Sequence, residues 1–412
     1  MWAGLFERAV AAIVRTGSLE ITMPDGDVRR FGDGTGKPVA VTLHDPDLPR
    51  RIVLNPDIGV GEGYTEGTLT IADDDLAGFL SLVVTNGGNN GQTTWLAVLN
   101  QLRQVTRVLT QWNPVGKAQS NVAHHYDLSG ELYDLFLDSD KQYSCGYFRS
   151  PDDTLEQAQA QKKAHIADKL LIRPGMRVLD IGCGWGGMAM TLARDYGAQV
   201  VGVTLSEEQH KVATRRVHQA GLEGQVDIRL ADYRNVAETF DRIVSVGMFE
   251  HVGVPHYREY FRHVHDRLAR DGVALIHTIG RASPPGHTSP WLTKYIFPGG
   301  YVPAMSEMMA AVEKEDLFAA DMEILRLHYA ETLRHWHDRF VANIDKARAL
   351  YDEKFCRMWR YYLLACEMTF RHSRQVVFQV QLSHRIDAVP LTRDYLYRAT
   401  DDKAEQFSHA AE

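Results

Sequence analysis

From about residue 165 onward, apolar runs of strand length alternate with longer stretches in which apolar residues recur at helical spacing. Runs at 178–181, 200–204, 226–230, 242–246 and 273–279 predict strands with helices between them, the order of a doubly wound α/β sheet. Two more strands are predicted near 322–329 and 376–382, after an insertion of roughly 282–315. That insertion carries Trp291, Tyr295, Phe297, Pro298 and Tyr301, a composition suited to a lid over an apolar pocket. Residues 1 to about 115 follow a different rhythm. Short alternating runs at 18–22, 39–43, 51–54 and 69–71 predict an α+β unit, with Pro24-Asp-Gly26 as a turn. Before them, Trp2, Leu5, Phe6, Ala9, Val10 and Ile13 share one helical face. Such a helix could lie in a bilayer interface, but packing on its own domain core is the better expectation. A polar break at 86–92 predicts a flexible spot, and 95–112 predicts a helix ended by Asn113-Pro114. The tail, 386–412, is expected to be a terminal helix or disordered.

Bulk properties narrow the function class. At 412 residues the chain can hold two domains, and 44% hydrophobic with 24% charged residues is ordinary for a globular protein. No apolar run is long enough to span a bilayer, and Met1-Trp2 opens without the basic start of a signal peptide. Cysteines 145, 183, 356 and 366 show no CxxC spacing, so neither disulfides nor a metal are expected. A cytoplasmic location follows as the default. A net charge of −8 argues against nucleic acid and leaves membrane contact to a local face.

The chemistry begins at Leu179-Asp-Ile-Gly-Cys-Gly-Trp-Gly-Gly187, between a predicted strand and a predicted helix. Glycines at 182, 184 and 186 permit positive φ and close approach of a ligand, while the helix start offers free N–H groups and a positive dipole end. Gly182-x-Gly184-x-x-Gly187 also satisfies the dinucleotide fingerprint. A dinucleotide site wants an acid at the tip of the second strand, and Val200-Val-Gly-Val-Thr-Leu-Ser206 has none. Asp180 ahead of the glycines suits the first motif of S-adenosylmethionine methyltransferases instead.

Six stretches carry a wider resemblance: His125-Tyr-Asp127, Gln142-Tyr-Ser-Cys-Gly-Tyr147, Pro174 to Gly187, Val201-Gly-Val-Thr-Leu-Ser206, Asp241 to His251, and His277-Thr-Ile-Gly280. On these the chain resembles the cyclopropane-fatty-acyl-phospholipid synthases and the related mycolic acid cyclopropane synthases and methyltransferases. Gly61-Glu-Gly-Tyr64 extends the likeness, more loosely, to the N-terminal domain of the phospholipid enzymes. The resemblance implies a class I methyltransferase fold, a Rossmann-like, seven-stranded, mostly parallel sheet spanning 116–385, beside a smaller α+β N-terminal domain at 1–115. It implies S-adenosylmethionine as cofactor, covered by Tyr126, Tyr143 and Ser144. Gly182, Gly184 and Trp185 would lie along its methionine and ribose portions, Thr204, Leu205 and Gln209 at the ribose, and Asp232 and Tyr233 at the adenine, with Asp180 also at the cofactor. Gln209 also fits a capping box, Ser206-Glu-Glu-Gln209.

Methyl transfer to an isolated alkene leaves a carbocation, and loss of a proton from the new methyl closes a three-membered ring. In the family, a bicarbonate ion serves as the base. Its holders map onto Cys145 and Ile279 through the backbone, and onto Glu250, His277 and Tyr329 through side chains. Taken singly, His277 reads equally well as a hydrogen-bonded core histidine, and Cys145 better as a small buried hydrophobe. The implied activity is methylene transfer from S-adenosylmethionine to cis double bonds of phospholipid acyl chains, at the inner face of the membrane. The N-terminal domain would assist lipid engagement or homodimer formation. The rivals are a fatty-acyl C-methyltransferase making methyl-branched chains and a non-catalytic lipid-binding protein.

Overall fold

The computed structural model describes residues 2–88 and 129–397; the predicted helix at 95–112 and Tyr126 lie outside the described residues. In the N-terminal unit the amphipathic stretch forms α1 (Trp2–Ile13), and its Phe6 is buried in the domain core while Leu5 faces out. Strands β1 (Ser18–Thr22), β2 (Val28–Gly32), β3 (Val39–Leu43) and β4 (Leu69–Ile71) form one sheet in the order β2-β1-β3-β4. The run expected as a strand at 51–54 is instead the end of a helix, α2 (Leu48–Leu54). Pro49 sits in its first turn, where a missing N–H costs nothing. Asn86, expected in a flexible break, belongs to α4 (Leu76–Gly88), and its buried side chain accepts from the backbones of Arg15 and Thr16, both at 3.0 Å.

Helix α3 (Pro56–Glu66) forms despite glycines at 59, 61 and 63, each of which disfavours a helix by about 1 kcal/mol relative to alanine. Packing accounts for them. A Cβ on Gly61 would stand 2.4 Å from the Trp291 indole, and one on Gly59 2.7 Å from the Ile52 backbone.

The larger unit opens with α5 (Gly130–Asp134) and α6 (Leu155–Lys169), the latter started by a full capping box between Thr154 and Gln157. Then come β5 (Arg177–Ile181), α7 (Gly187–Tyr196), β6 (Gln199–Thr204), α8 (Glu207–Gln219), β7 (Val226–Leu230), β8 (Phe240–Val246), α9 (Tyr257–Arg267) and β9 (Leu268–Arg281). After α10 (Pro290–Tyr295) and α11 (Met305–Lys314) follow β10 (Phe318–Leu325), α12 (His328–Ala342), α13 (Ile344–Leu350), α14 (Glu353–His372) and β11 (Gln375–Ser383). The seven strands order as β10-β11-β9-β8-β5-β6-β7, and β11 alone runs against the others. This is the mostly parallel, Rossmann-like methyltransferase sheet.

Three boundaries differ from expectation. β9 starts five residues before the predicted 273, at Leu268. β10 ends at Leu325, and the chain re-enters a helix at His328, so Tyr329 stands on the first turn of α12 rather than on a strand. The insertion stops near 304, because α11 buries Met308, Ala311 and Val312 against the sheet layer as an ordinary flanking helix.

The N-terminal unit docks through α3 and α4 onto α14, and through α3 onto α10. Glu62 accepts from Lys294 and Tyr295, each at 2.7 Å, and from Arg51 at 2.8 Å; Ser289 donates to Asp57 at 3.0 Å. Burial opposes ionisation of Glu62, but these hydrogen bonds hold its pKa at about 2.

Candidate active site

At the carboxyl end of β5 the chain turns through Gly182, Gly184 and Gly186 with φ of +80°, +54° and +81° before α7 begins. The tight turn also brings in the 140–142 loop: a Cβ on Gly187 would stand 2.3 Å from the Gln142 amide. A cavity opens above this turn. Of the residues expected at the cofactor, Tyr143, Ser144, Asp180, Gly182, Gly184, Trp185, Thr204, Leu205, Gln209, Asp232 and Tyr233 all line it.

Their chemistry is uneven. Asp180 is buried, its Oδ2 has no partner among the described residues, and burial pushes its pKa up to about 7. An unpaired acceptor at that depth is costly unless a ligand donates to it. Gln209 closes only half of the capping box. Its N–H reaches Ser206 Oγ at 3.2 Å, but its side-chain Oε1 accepts from Thr204 Oγ1 at 2.9 Å. The amide NH2 therefore stays available to a diol. Asp232 is already committed to Arg234, accepting from its guanidinium at 2.9 and 2.7 Å and from its backbone N–H at 3.0 Å. Tyr233 packs edge-on against Tyr260 and His263.

A second cavity adjoins the first, and Tyr143, Ser144, Gly247 and His251 line both. Cys145, Glu250, His277, Ile279 and Tyr329, far apart in sequence, all lie on the second wall. Glu250 stands in a short turn after β8, and its Oε1 accepts from the Ile279 N–H at 2.6 Å. Its Oε2 is buried with no partner among the described residues, and burial raises the pKa to about 7. His277 is enclosed, and desolvation holds its pKa well below the ordinary value, with Lys162, Lys169 and His165 adding to the effect. Burial pushes the Cys145 thiol far up, so that side chain stays neutral. Tyr329 packs between Trp336 and Phe370. Leu292, Phe297, Leu333 and Phe370 add an apolar stretch to the wall, which Thr288, Tyr362 and Gln375 also line. Tyr301 from the insertion also lines it, whereas Trp291 packs against Gly61, and Phe249 and Trp359 lie in the core.

Several contributors were not read from the sequence. His251 lines both cavities, and burial lowers its pKa to about 4. Lys162 on α6 is fully buried and donates to Gln142 Oε1 at 2.7 Å and Ser144 Oγ at 2.8 Å, holding the loop between the cavities. Desolvation lowers the Lys162 pKa to about 8. Polar side chains on a helix usually mark its solvent face, which hid α6; the capping box Thr154-x-x-Gln157 was the available signal.

Comparison with known proteins agrees with this geometry. The family model for mycolic acid cyclopropane synthetase matches residues 115–380. The cyclopropane-fatty-acyl-phospholipid synthase of Escherichia coli is 38% identical over 382 residues, covering 89% of this chain and 96% of that one. A probable fatty acid methyltransferase of Pseudomonas putida is 39% identical over 288 residues, 67% of this chain and 73% of its own. The solved mycolic acid cyclopropane synthase CmaA1, complexed with SAH and CTAB, superposes with a TM-score of 0.62 at 34% identity, covering 66% of this chain and 99% of that one.

Proposed function

This chain belongs to the mycolic acid cyclopropane synthetase family and is an S-adenosylmethionine-dependent methyltransferase; from that premise we propose that it converts cis double bonds of unsaturated phospholipid acyl chains into cyclopropane rings. S-adenosylmethionine in the first cavity supplies an electrophilic methyl group on sulfur. The residues of the second cavity then have three tasks: to hold the olefin at the neck, to keep water from the carbocation, and to help remove one proton. The C–S bond breaks as the π electrons make the new C–C bond. Ring closure uses the electrons of a C–H bond on the new methyl, whose proton must leave to a base. Leu292, Phe297, Leu333 and Phe370 keep the wall dry, so that water does not trap the cation as an alcohol.

Glu250, His277 and Tyr329 fit bicarbonate as that base. The unpaired Glu250 Oε2 can accept the hydroxyl of bicarbonate, and His277 and Tyr329 can donate to its oxygens. Bound there, the ion would supply a base without a nucleophilic side chain beside the cation. The Cys145 contribution is through its backbone, since its thiol is neutral. Ile279 acts by aiming Glu250, whose Oε1 takes its N–H.

The observation that carries this reading is the shared neck, beside which a buried carboxylate with one unpartnered oxygen adjoins the cavity fitted for the methyl donor. The test is incubation with vesicles of cis-monounsaturated phospholipid. Cyclopropyl proton signals and a mass gain of one CH2 support it; no lipid product with release of S-adenosylhomocysteine absent would reject it. Methyl-branched chains would favour the second reading, a fatty-acyl C-methyltransferase, which the Pseudomonas putida relative supports. On either reading the enzyme works from the cytoplasm at the inner face of the membrane, and the N-terminal unit assists lipid engagement or homodimer formation.

A further inference from the structure

Across the sheet, three polar side chains fall into one row. Gln379 on β11 is paired directly with His277 on β9 and with Glu323 on β10, so all three share a face. Glu323 anchors the outer end. Burial opposes its ionisation, but His165 at 2.7 Å and Lys169, both from α6, hold its pKa at about 2. At the inner end the Gln379 amide nitrogen faces His277 Nδ1 at 3.1 Å. Gln379 is 0% exposed and its Oε1 has no partner among the described residues. Leucine would fill that space without an unpaired polar atom, so the amide is costly unless it does something for the ring.

We propose that Gln379 fixes the tautomer of His277, holding it as a neutral ring with its hydrogen on Nε2 for donation into the second cavity. An uncharged imidazole has one N–H, and the nitrogen without it must accept. An amide N–H aimed at Nδ1 makes Nδ1 the acceptor and leaves the hydrogen on Nε2. Lys162 and Lys169 bring positive charge to the ring, opposed by Glu323 on β10 and by Glu250 across the cavity, and His165 lies beside Glu323. The balance disfavours a charged ring. His277 is thus a donor that binds the anion and does not compete with it for the proton. This role rests on reading the second cavity as the place of proton removal; the tautomer itself does not.

The experiment is a long-range proton–nitrogen correlation spectrum of the full chain labelled with 15N-histidine, with His277 assigned by its loss in His277→Asn. The expected wild-type pattern is a protonated Nε2 and a bare Nδ1. Gln379→Leu is expected to mix or reverse it and to lower kcat on the order of 10²-fold, with the Kd for S-adenosylhomocysteine unchanged. Gln379→Glu, whose carboxylate accepts from Nδ1–H, is expected to move the hydrogen to Nδ1 and slow turnover, while also restoring the polar packing that a merely structural role would need. A wild-type ring with its hydrogen on Nδ1 overturns the proposal, as does Gln379→Leu with the wild-type tautomer or wild-type kcat. If Gln379→Leu does not fold, the wild-type spectrum and Gln379→Met decide. A wild-type protein that makes no lipid product would sink the functional reading, yet the resting spectrum would still decide the tautomer.

Discussion

The two cavities meet at one neck but are built in opposite ways. Most of the first is built from short contiguous stretches at the carboxyl ends of β5, β6 and β7, residues 180–187, 204–209 and 231–234, with residues from 141–144 and 246–252 adding to its wall. Its geometry is a property of local backbone, above all of glycines at positive φ. The second draws Cys145, Glu250, His277, Tyr329 and Phe370 from five separate places in the chain. Its character comes from burial, which leaves Glu250 with a raised pKa and His277 with a lowered one. On the proposed function, binding of the methyl donor and disposal of the proton are therefore separable physical problems. One is solved by backbone shape, the other by electrostatics in a dry space.

The sharpest way to break this division is to change one cavity and read both. Glu250→Ala and His277→Ala should each lower turnover by roughly 10³-fold or more, while the Kd for S-adenosylhomocysteine measured by calorimetry stays within about threefold. Full activity in either variant would remove the second cavity from the chemistry. The reverse experiment is Gly182→Val. Gly182 has φ +80°, and even a Cβ there would stand 3.0 Å from Met248, so cofactor affinity should fall by about 10²-fold or more. Circular dichroism would confirm that the sheet survives.

A smaller effect reports on the roof of the second cavity. Gly61→Ala puts a methyl group 2.4 Å from the Trp291 indole, an overpacking worth about 1–3 kcal/mol. Because Trp291 and the cavity-lining Leu292 share α10, the expected result is a several-fold rise in KM for lipid with cofactor affinity unchanged. Equal loss of both would show that the N-terminal unit does not act on one cavity selectively.

The smallest expected effect is a pH dependence of stability. Glu250 has a folded pKa near 7, above the ordinary carboxylate value of 4.5. The folded state therefore holds a proton that the unfolded state releases between those values, and stability from this group is lost as pH rises through about 7. Glu250→Gln should raise Tm relative to wild type at pH 8, by the equivalent of about 1–3 kcal/mol, with the gain shrinking as pH falls towards 4.5. A gain independent of pH would mean that the carboxylate is not buried as a charge.

The same division explains how much could be read from sequence. The strands around the glycine turn and the first-cavity residues at 180–185, 204–209 and 232–233 were legible because each lies within a few positions of a strand end, whereas Tyr143 and Ser144 were legible only through the family's motifs. Glu250, His277 and Tyr329 were legible only through the family's motifs, since no periodicity brings residues 250, 277 and 329 together. Gln379 and Lys162 were missed for a physical reason. A glutamine in a strand or a lysine on a helix reads as solvent-facing until tertiary packing covers it. The strand expected at 51–54 failed because a short apolar run does not distinguish strand from helix, and Pro49 was the overlooked signal.

The glycine face of α3 has a practical consequence for anyone wishing to shorten the protein. Cutting away residues 1–88 would strip the cover from Trp291 and from the apolar flank of α14, and would leave Lys294 and Tyr295 without Glu62. What remained would present a sticky aromatic belt to solvent, prone to self-association unless those positions were redesigned as polar.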